Sequence, residues 1–332
     1  MGERVAKTSD RPVTGARHRA TADSICRITR TVECDAGPLF VQETVPETGR
    51  DGDYVLFVHG NTFPSSPDFD LCVPGYSFVE HLAARGVSCC MFDHRGYGRS
   101  VKPRPGEAVG LEARARDLEA VYWFLRKERG AASITLLGLS TGCNTIAELL
   151  GRSRLELRAL VLLGPCYLFN DFLSHAANRA RLIHALRAVA GREESEYIAL
   201  PPAMLIRRLY KGEEELIDRR VLDEFLRQSI RSTWPSARKL VSPVLAFPDW
   251  KQRYQPMQPM FDAAHLASAP ILMLRGGVDT ICDPATARAF LDACRAAGGE
   301  VTEVCVPERK HDLHLYKKHD RVFSSIVEFV RS

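Results

Sequence analysis

Short, uninterrupted apolar runs that alternate with helical patterns constrain this chain more than any other feature. Tyr54-Val55-Leu56-Phe57-Val58, Val87-Ser88-Cys89-Cys90-Met91-Phe92, Ile134-Thr135-Leu136-Leu137, Ala159-Leu160-Val161-Leu162-Leu163 and Ile271-Leu272-Met273-Leu274 lack the apolar–polar alternation of a half-wet strand. A strand apolar on both sides must be covered on both faces, as in a parallel sheet between two layers of helix. The covers are visible too: Phe78 to Ala84 closes at Gly86, and Leu111 to Arg129 carries Leu118, Val121, Tyr122 and Leu125 at helical spacing. Further helical patterns run over 143–150, 285–297 and 314–330, with a last strand at Val301 to Val306. Such an order implies right-handed crossovers and an α/β fold.

Two stretches depart from the alternation. Arg27 to Val32 alternates, Asp35-Ala36-Gly37-Pro38 reads as a turn and Leu39 to Val45 returns, which predicts an opening antiparallel hairpin. From about Tyr167 to Met257 the strand pattern stops. Amphipathic helices rich in Arg, Glu and Leu are expected there, broken at Pro201-Pro202, Pro235, Pro243, Pro248, Pro256 and Pro259. The expected organisation is a flexible polar leader over 1–24, a core over 25–165 and 262–332, and a helical lid inserted over 166–261.

Composition narrows the function classes. A length of 332 residues suits one α/β core with an insertion. The 45 basic and 41 acidic residues are interspersed, so no coherent basic face for nucleic acid is expected. Met1 to Ser24 is polar, with neither the apolar run of a signal peptide nor a membrane span, so a cytoplasmic protein without a membrane partner is expected. The ten cysteines show no Cys-x-x-Cys spacing, which argues against a disulfide framework or a zinc site. Residues such as Cys166 and Cys305 read as small core hydrophobes. No metal-ligand spacing or dinucleotide loop stands out, so no cofactor is expected.

The chemistry centres on Ser140. Gly138-Leu139-Ser140-Thr141-Gly142 falls between the strand Ile134–Leu137 and a helix expected from Cys143. Flanking glycines permit a sharp, strained turn that lifts the hydroxyl clear of the sheet, although an isolated pattern of this kind equally suits a serine that caps a helix. A serine hydroxyl is a poor nucleophile and needs a base, and the base needs a group that orients it. Asp279 follows the strand Ile271–Leu274 and His311 follows Val301–Val306, giving the chain order nucleophile, acid, base.

With these residues in view, nearly everything from Ile25 to Val330 resembles the α/β-hydrolase family. The resemblance is carried by His59-Gly60, Asp93 to Ser100, the serine turn, Gly276-Gly277-Val278-Asp279 and His311. It implies a mostly parallel eight-stranded sheet flanked by helices, with Asp279 as triad acid and His311 as base. Asp283 competes for the acid's role but precedes Pro284 and suits a helix cap. His314 competes for the base's, because the family usually has glycine before its histidine and here Lys310 stands there. The resemblance also implies an oxyanion hole from the backbone N–H groups of Thr141 and Asn61, with His59 and His94 structural and the Asp93–Ser100 loop without a chemical role. His-Gly-Asn is similar to the haloalkane dehalogenase branch, but that branch needs an aspartate where Ser140 stands.

The expected activity is hydrolysis of a carboxylic ester or thioester through an acyl-enzyme. The substrate would be a small-molecule acyl compound, free or delivered on an acyl carrier protein or coenzyme A. The same acyl-enzyme with an amine or alcohol acceptor would make a transacylase or a macrolactone-forming cyclase, and a non-catalytic receptor on the same fold is the third alternative. Tyr167, Phe169, Phe172, Trp234, Phe247 and Trp250 are candidates for an apolar acyl pocket.

Overall fold

The computed structural model describes residues 25–47, 52–102, 109–175, 197–200, 215–233, 240–243 and 254–332. The leader over 1–24 and the aromatic residues Trp234, Phe247 and Trp250 lie outside them. The main sheet has eight strands: β1 (Ile25–Cys34), β2 (Gly37–Pro46), β3 (Asp53–Val58), β4 (Ser88–Phe92), β5 (Ser133–Leu139), β6 (Ala159–Leu163), β9 (Ile271–Gly276) and β10 (Val301–Val306). A separate antiparallel pair consists of β7 (Tyr197–Leu200) and β8 (Leu240–Pro243).

Strand order in the main sheet is β1-β2-β4-β3-β5-β6-β9-β10. The opening hairpin is antiparallel and β2 lies antiparallel to β4, whereas every pairing from β4 through β10 is parallel. The apolar runs are therefore the parallel strands, and successive side chains feed opposite faces. Leu56, Val58, Leu136 and Leu160 pack on one side with Leu118, Val121 and Leu125 of helix α3 (Leu111–Lys127) and Ile146 of helix α4 (Thr141–Leu150). Val55, Phe57, Leu137 and Val161 pack on the other with Phe78 and Leu82 of helix α2 (Phe78–Ala83) and Phe323 and Ile326 of the helix Asp320–Arg331. Each such fully buried side chain contributes about 1.5–3 kcal/mol relative to exposure.

Three sequence expectations shift. The insertion is not purely helical: it has the helix Arg219–Thr233, but also β7 against β8, with Ile198 opposite Ser242. Four-residue strands are too short to display a period, and Pro243, read in the sequence as a break, ends one of them. The last helix begins at Asp320 rather than His314, after a 3-10 turn at Leu313–Leu315. Helix α4 begins at Thr141, directly after the serine.

The helix Arg219–Thr233 packs Val221 and Phe225 against Phe63, Leu71 and Leu315, so the insertion rests on loops that follow β3 and β10. No described helix is long and apolar enough to cross a membrane.

Candidate active site

Ser140 lies between β5 and α4 with φ 56° and ψ −121°, a conformation that non-glycine residues rarely adopt. Its side chain makes no capping bond to the helix, so capping does not account for the serine. Two glycines make room for the turn. A Cβ on Gly138 would come within 2.9 Å of the Cys143 backbone nitrogen, and one on Gly142 within 2.2 Å of the Val58 carbonyl oxygen. The first turn of α4 is thereby pressed onto the end of β3, and the Ser140 backbone N–H bonds to Leu163 O at 2.8 Å.

The expected acid and base meet although 32 residues separate them: His311 Nδ1 lies 2.8 Å from Asp279 Oδ2. Burial works to raise the Asp279 carboxyl, but His311 and the N–H groups of Ile281 and Cys282 outweigh it and keep the acid below the ordinary carboxylate range. Gly164, with φ 55°, stands where a Cβ would fall 2.8 Å from His311 Nδ1 and 3.3 Å from Asp279 Oδ2. The competitors do other work. Asp283 caps the helix Pro284–Ala296 by accepting from the Thr286 N–H at 2.7 Å. His314 is buried against Phe78, and burial, with His319 and His311 adding to it, lowers the ring to about 3.

Ser140 and His311 line one cleft with Gly60, Asn61, Asp68 and Phe172. A Cβ on Gly60 would lie 3.4 Å from Ser140 Cβ, which places the His59-Gly60-Asn61 backbone beside Ser140. The loop after β4 fastens that backbone in place. His59 Nε2 accepts the His94 N–H at 3.0 Å, Tyr97 donates its hydroxyl to Asn61 O at 2.7 Å, and Asp93 accepts the Ser65 N–H at 2.8 Å. Gly98 is obligatory here, since a Cβ would strike Asp93 Oδ2 at 1.9 Å. The Asp93–Ser100 stretch thus braces the His59–Asn61 loop as well as filling space.

Comparison with known proteins bears on this geometry. Residues 75–317, well over half of the chain and including Ser140, Asp279 and His311, match the hydrolase family described as serine aminopeptidase, S33. The chain belongs to this family. No curated protein matches it. Among solved structures, this hydrolase is similar to E-2-(acetamidomethylene)succinate hydrolase, at 17% identity over 92% of this chain and 100% of that one, with a TM-score of 0.63. A thermophilic esterase from Thermogutta terrifontis shares 22% identity over 92% of this chain and 98% of that one, with a TM-score of 0.61. The thioesterase domain from the curacin biosynthetic pathway shares 14% over 92% and 100%, with a TM-score of 0.60. At these identities the likeness is one of α/β-hydrolase fold.

The hydrolase brings further residues to the site that sequence reading passes over. Cys166, expected as core filler, is buried with Sγ 3.4 Å from Ser140 Oγ. Burial pushes this thiol up to about 12, with Ser140 opposing and Asp279 adding, so a neutral thiol faces the Ser140 hydroxyl. Its position three residues past β6, the neighbour of β5, was the available signal. Of the aromatic candidates, Phe172 lines the cleft, whereas Tyr167 packs on Phe261 and Phe290, and Phe169 on Tyr254. Cys34, Asp35 and Asp117 converge in a way that suits a metal, yet the Arg95 guanidinium donates to all three.

Asp68 also lines the cleft, buried, with Oδ1 lacking a hydrogen-bond partner among the described residues. Burial holds its carboxyl well above the usual range, Asp312 and Asp93 add repulsion, and only the Gly60 N–H opposes. An acid whose folded pKa is raised costs stability as pH climbs above the unfolded value, because the unfolded chain releases the proton first. Asp68→Asn removes that cost. The variant is expected to gain thermal stability over wild type at pH 8 and to show little gain at pH 4. A gap that does not widen with pH, measured by thermal unfolding, would show that Asp68 ionises freely.

Proposed function

We propose that this hydrolase cleaves a carboxylic ester or thioester of a small-molecule acyl compound through an acyl-enzyme on Ser140. The observation that carries the reading is the 2.8 Å approach of His311 Nδ1 to Asp279 Oδ2, with His311 and the strained Ser140 on one cleft. In this mechanism Asp279 keeps the Nδ1 proton in place, so Nε2 is the basic nitrogen and takes the Ser140 proton as Oγ attacks the acyl carbon. The oxyanion is stabilised by the backbone N–H groups of Asn61 and Thr141. Protonated His311 then passes its proton to the leaving alcohol or thiol, and water, activated by the same imidazole, releases the acid. The leaving group can be a simple alcohol, coenzyme A or an acyl carrier thiol.

A fluorophosphonate probe is expected to label the wild-type chain and to leave Ser140→Ala unlabelled. Absence of labelling in the folded wild type sinks the proposal. A second reading, cleavage of an aminoacyl amide, is favoured by the description of the matched family. Turnover of aminoacyl anilides faster than of acyl esters would establish it. Product analysis with added amines and alcohols separates hydrolysis from acyl transfer.

A further inference from the structure

The most unusual charge near the site belongs to Arg114 on α3. Its side chain is buried at 1% exposure, and among the described residues it meets no carboxylate. A guanidinium taken out of water without a counter-ion is costly, and such a group is retained where it does something an apolar side chain cannot. Its bonds point to what that is. Nη1 donates to the Asn61 side-chain oxygen, Nη2 donates to the Tyr97 hydroxyl, and Cζ lies 4.9 Å from the Tyr97 ring centroid. Tyr97 in turn donates that hydroxyl to Asn61 O at 2.7 Å. One residue is therefore gripped twice, at its side chain and at its main-chain carbonyl, by one coupled pair.

Holding both of those groups restricts the backbone torsions of Asn61, and with them the direction of its N–H. Burial first lowers both His59 and His94; Asp117 opposes this at His94, and the Arg114 cation adds to it at both rings. His59 touches the Tyr97 ring edge-on at 4.7 Å, closing the cluster.

We propose that Arg114 is a positioning residue for acyl transfer. Through Asn61 and Tyr97 it aims the oxyanion-hole N–H, and it sets behind that donor a positive charge that meets no carboxylate among the described residues. The inference rests on the reading of Asn61 as an oxyanion donor. The charge it answers exists only in the transition state and intermediate, so its loss acts on kcat and leaves KM nearly unchanged.

The test uses the full chain, an activated ester such as p-nitrophenyl butyrate, and a trifluoromethyl ketone that forms a tetrahedral adduct with the serine. Arg114→Met is expected to lower kcat about a hundred-fold, as loss of an oxyanion donor does, with ketone affinity falling in step with kcat/KM. Arg114→Lys, which keeps the charge but cannot grip both partners, is expected to fall between Met and wild type. Tyr97→Phe removes one link without emptying the site and supplies the same pattern, about ten-fold weaker in effect, should Arg114→Met fail to fold. Folded variants with kcat unchanged, or with KM rising while ketone affinity holds, overturn the inference. If the wild type itself resists fluorophosphonate, the hydrolase reading has failed. If the wild type is labelled and the Arg114 and Tyr97 variants react at its rate, only the role of Arg114 has failed.

Discussion

Asp279→Asn is expected to lower kcat roughly ten-thousand-fold while the chain stays folded, as the equivalent change does in serine triads generally. An amide at this position presents an N–H where the carboxylate accepts. It drives the His311 proton from Nδ1 to Nε2, the nitrogen that must be basic. Asp279 has no exposed side-chain surface to adapt with, and its Oδ2 sits 2.8 Å from the ring. Asp283→Asn is the matched control. Asparagine caps the helix Pro284–Ala296 about as well as aspartate, so only the contact with Asn170 weakens; stability is expected to change by less than about 1 kcal/mol, with kcat nearly intact. Steady-state kinetics on an activated ester decide between them, and equal losses in the two variants would reassign the acid.

Gly142→Ala is expected to cost about 3 kcal/mol of stability, and activity with it, because overpacking against rigid backbone has no cheap relaxation. The added carbon would sit 2.2 Å from Val58 O, 3.0 Å from Val58 C and 3.1 Å from His59 O. All three are backbone atoms at the end of a central strand and the residue that follows it. To relieve the clash α4 must lift off β3, and it carries Cys143, Ile146 and Ala147 out of the core as it goes. Gly110→Ala is the comparison, since a Cβ there meets nothing within 4 Å. Its cost is expected to stay below about 1 kcal/mol. Urea unfolding of both variants checks the pair, and similar midpoints would remove close packing as the reason for the glycine.

What could be read in advance follows from how local each signal is. The parallel strands were legible because burial on both faces leaves an unbroken apolar run, and the serine turn because its strain demands glycines within two residues. Asp279 against Asp283, and His311 against His314, were open in the sequence. Four residues along the chain separate the first pair, and only the distance to the partner distinguishes them. Arg114 and Asp68 were not legible at all. One is an arginine in an amphipathic helix and the other an aspartate in a loop, and both acquire meaning from neighbours brought up by other strands. The β7 and β8 pair was missed for a related reason, since four residues pairing across the insertion leave no period to detect.

The strand order separates reactivity from its assembly. In the proposed mechanism the nucleophile and the loop that cradles the oxyanion come from β5 and β3, adjacent strands made early in the chain. The acid and base come from β9 and β10, after the insertion, and β9 reaches the early strands only through β6. In the proposed mechanism the serine is an ordinary alcohol until Ile271 to His311 are in place. A nascent or partly unfolded chain that lacks the last two strands is therefore chemically silent, and the reactive hydroxyl is armed only when the sheet is complete.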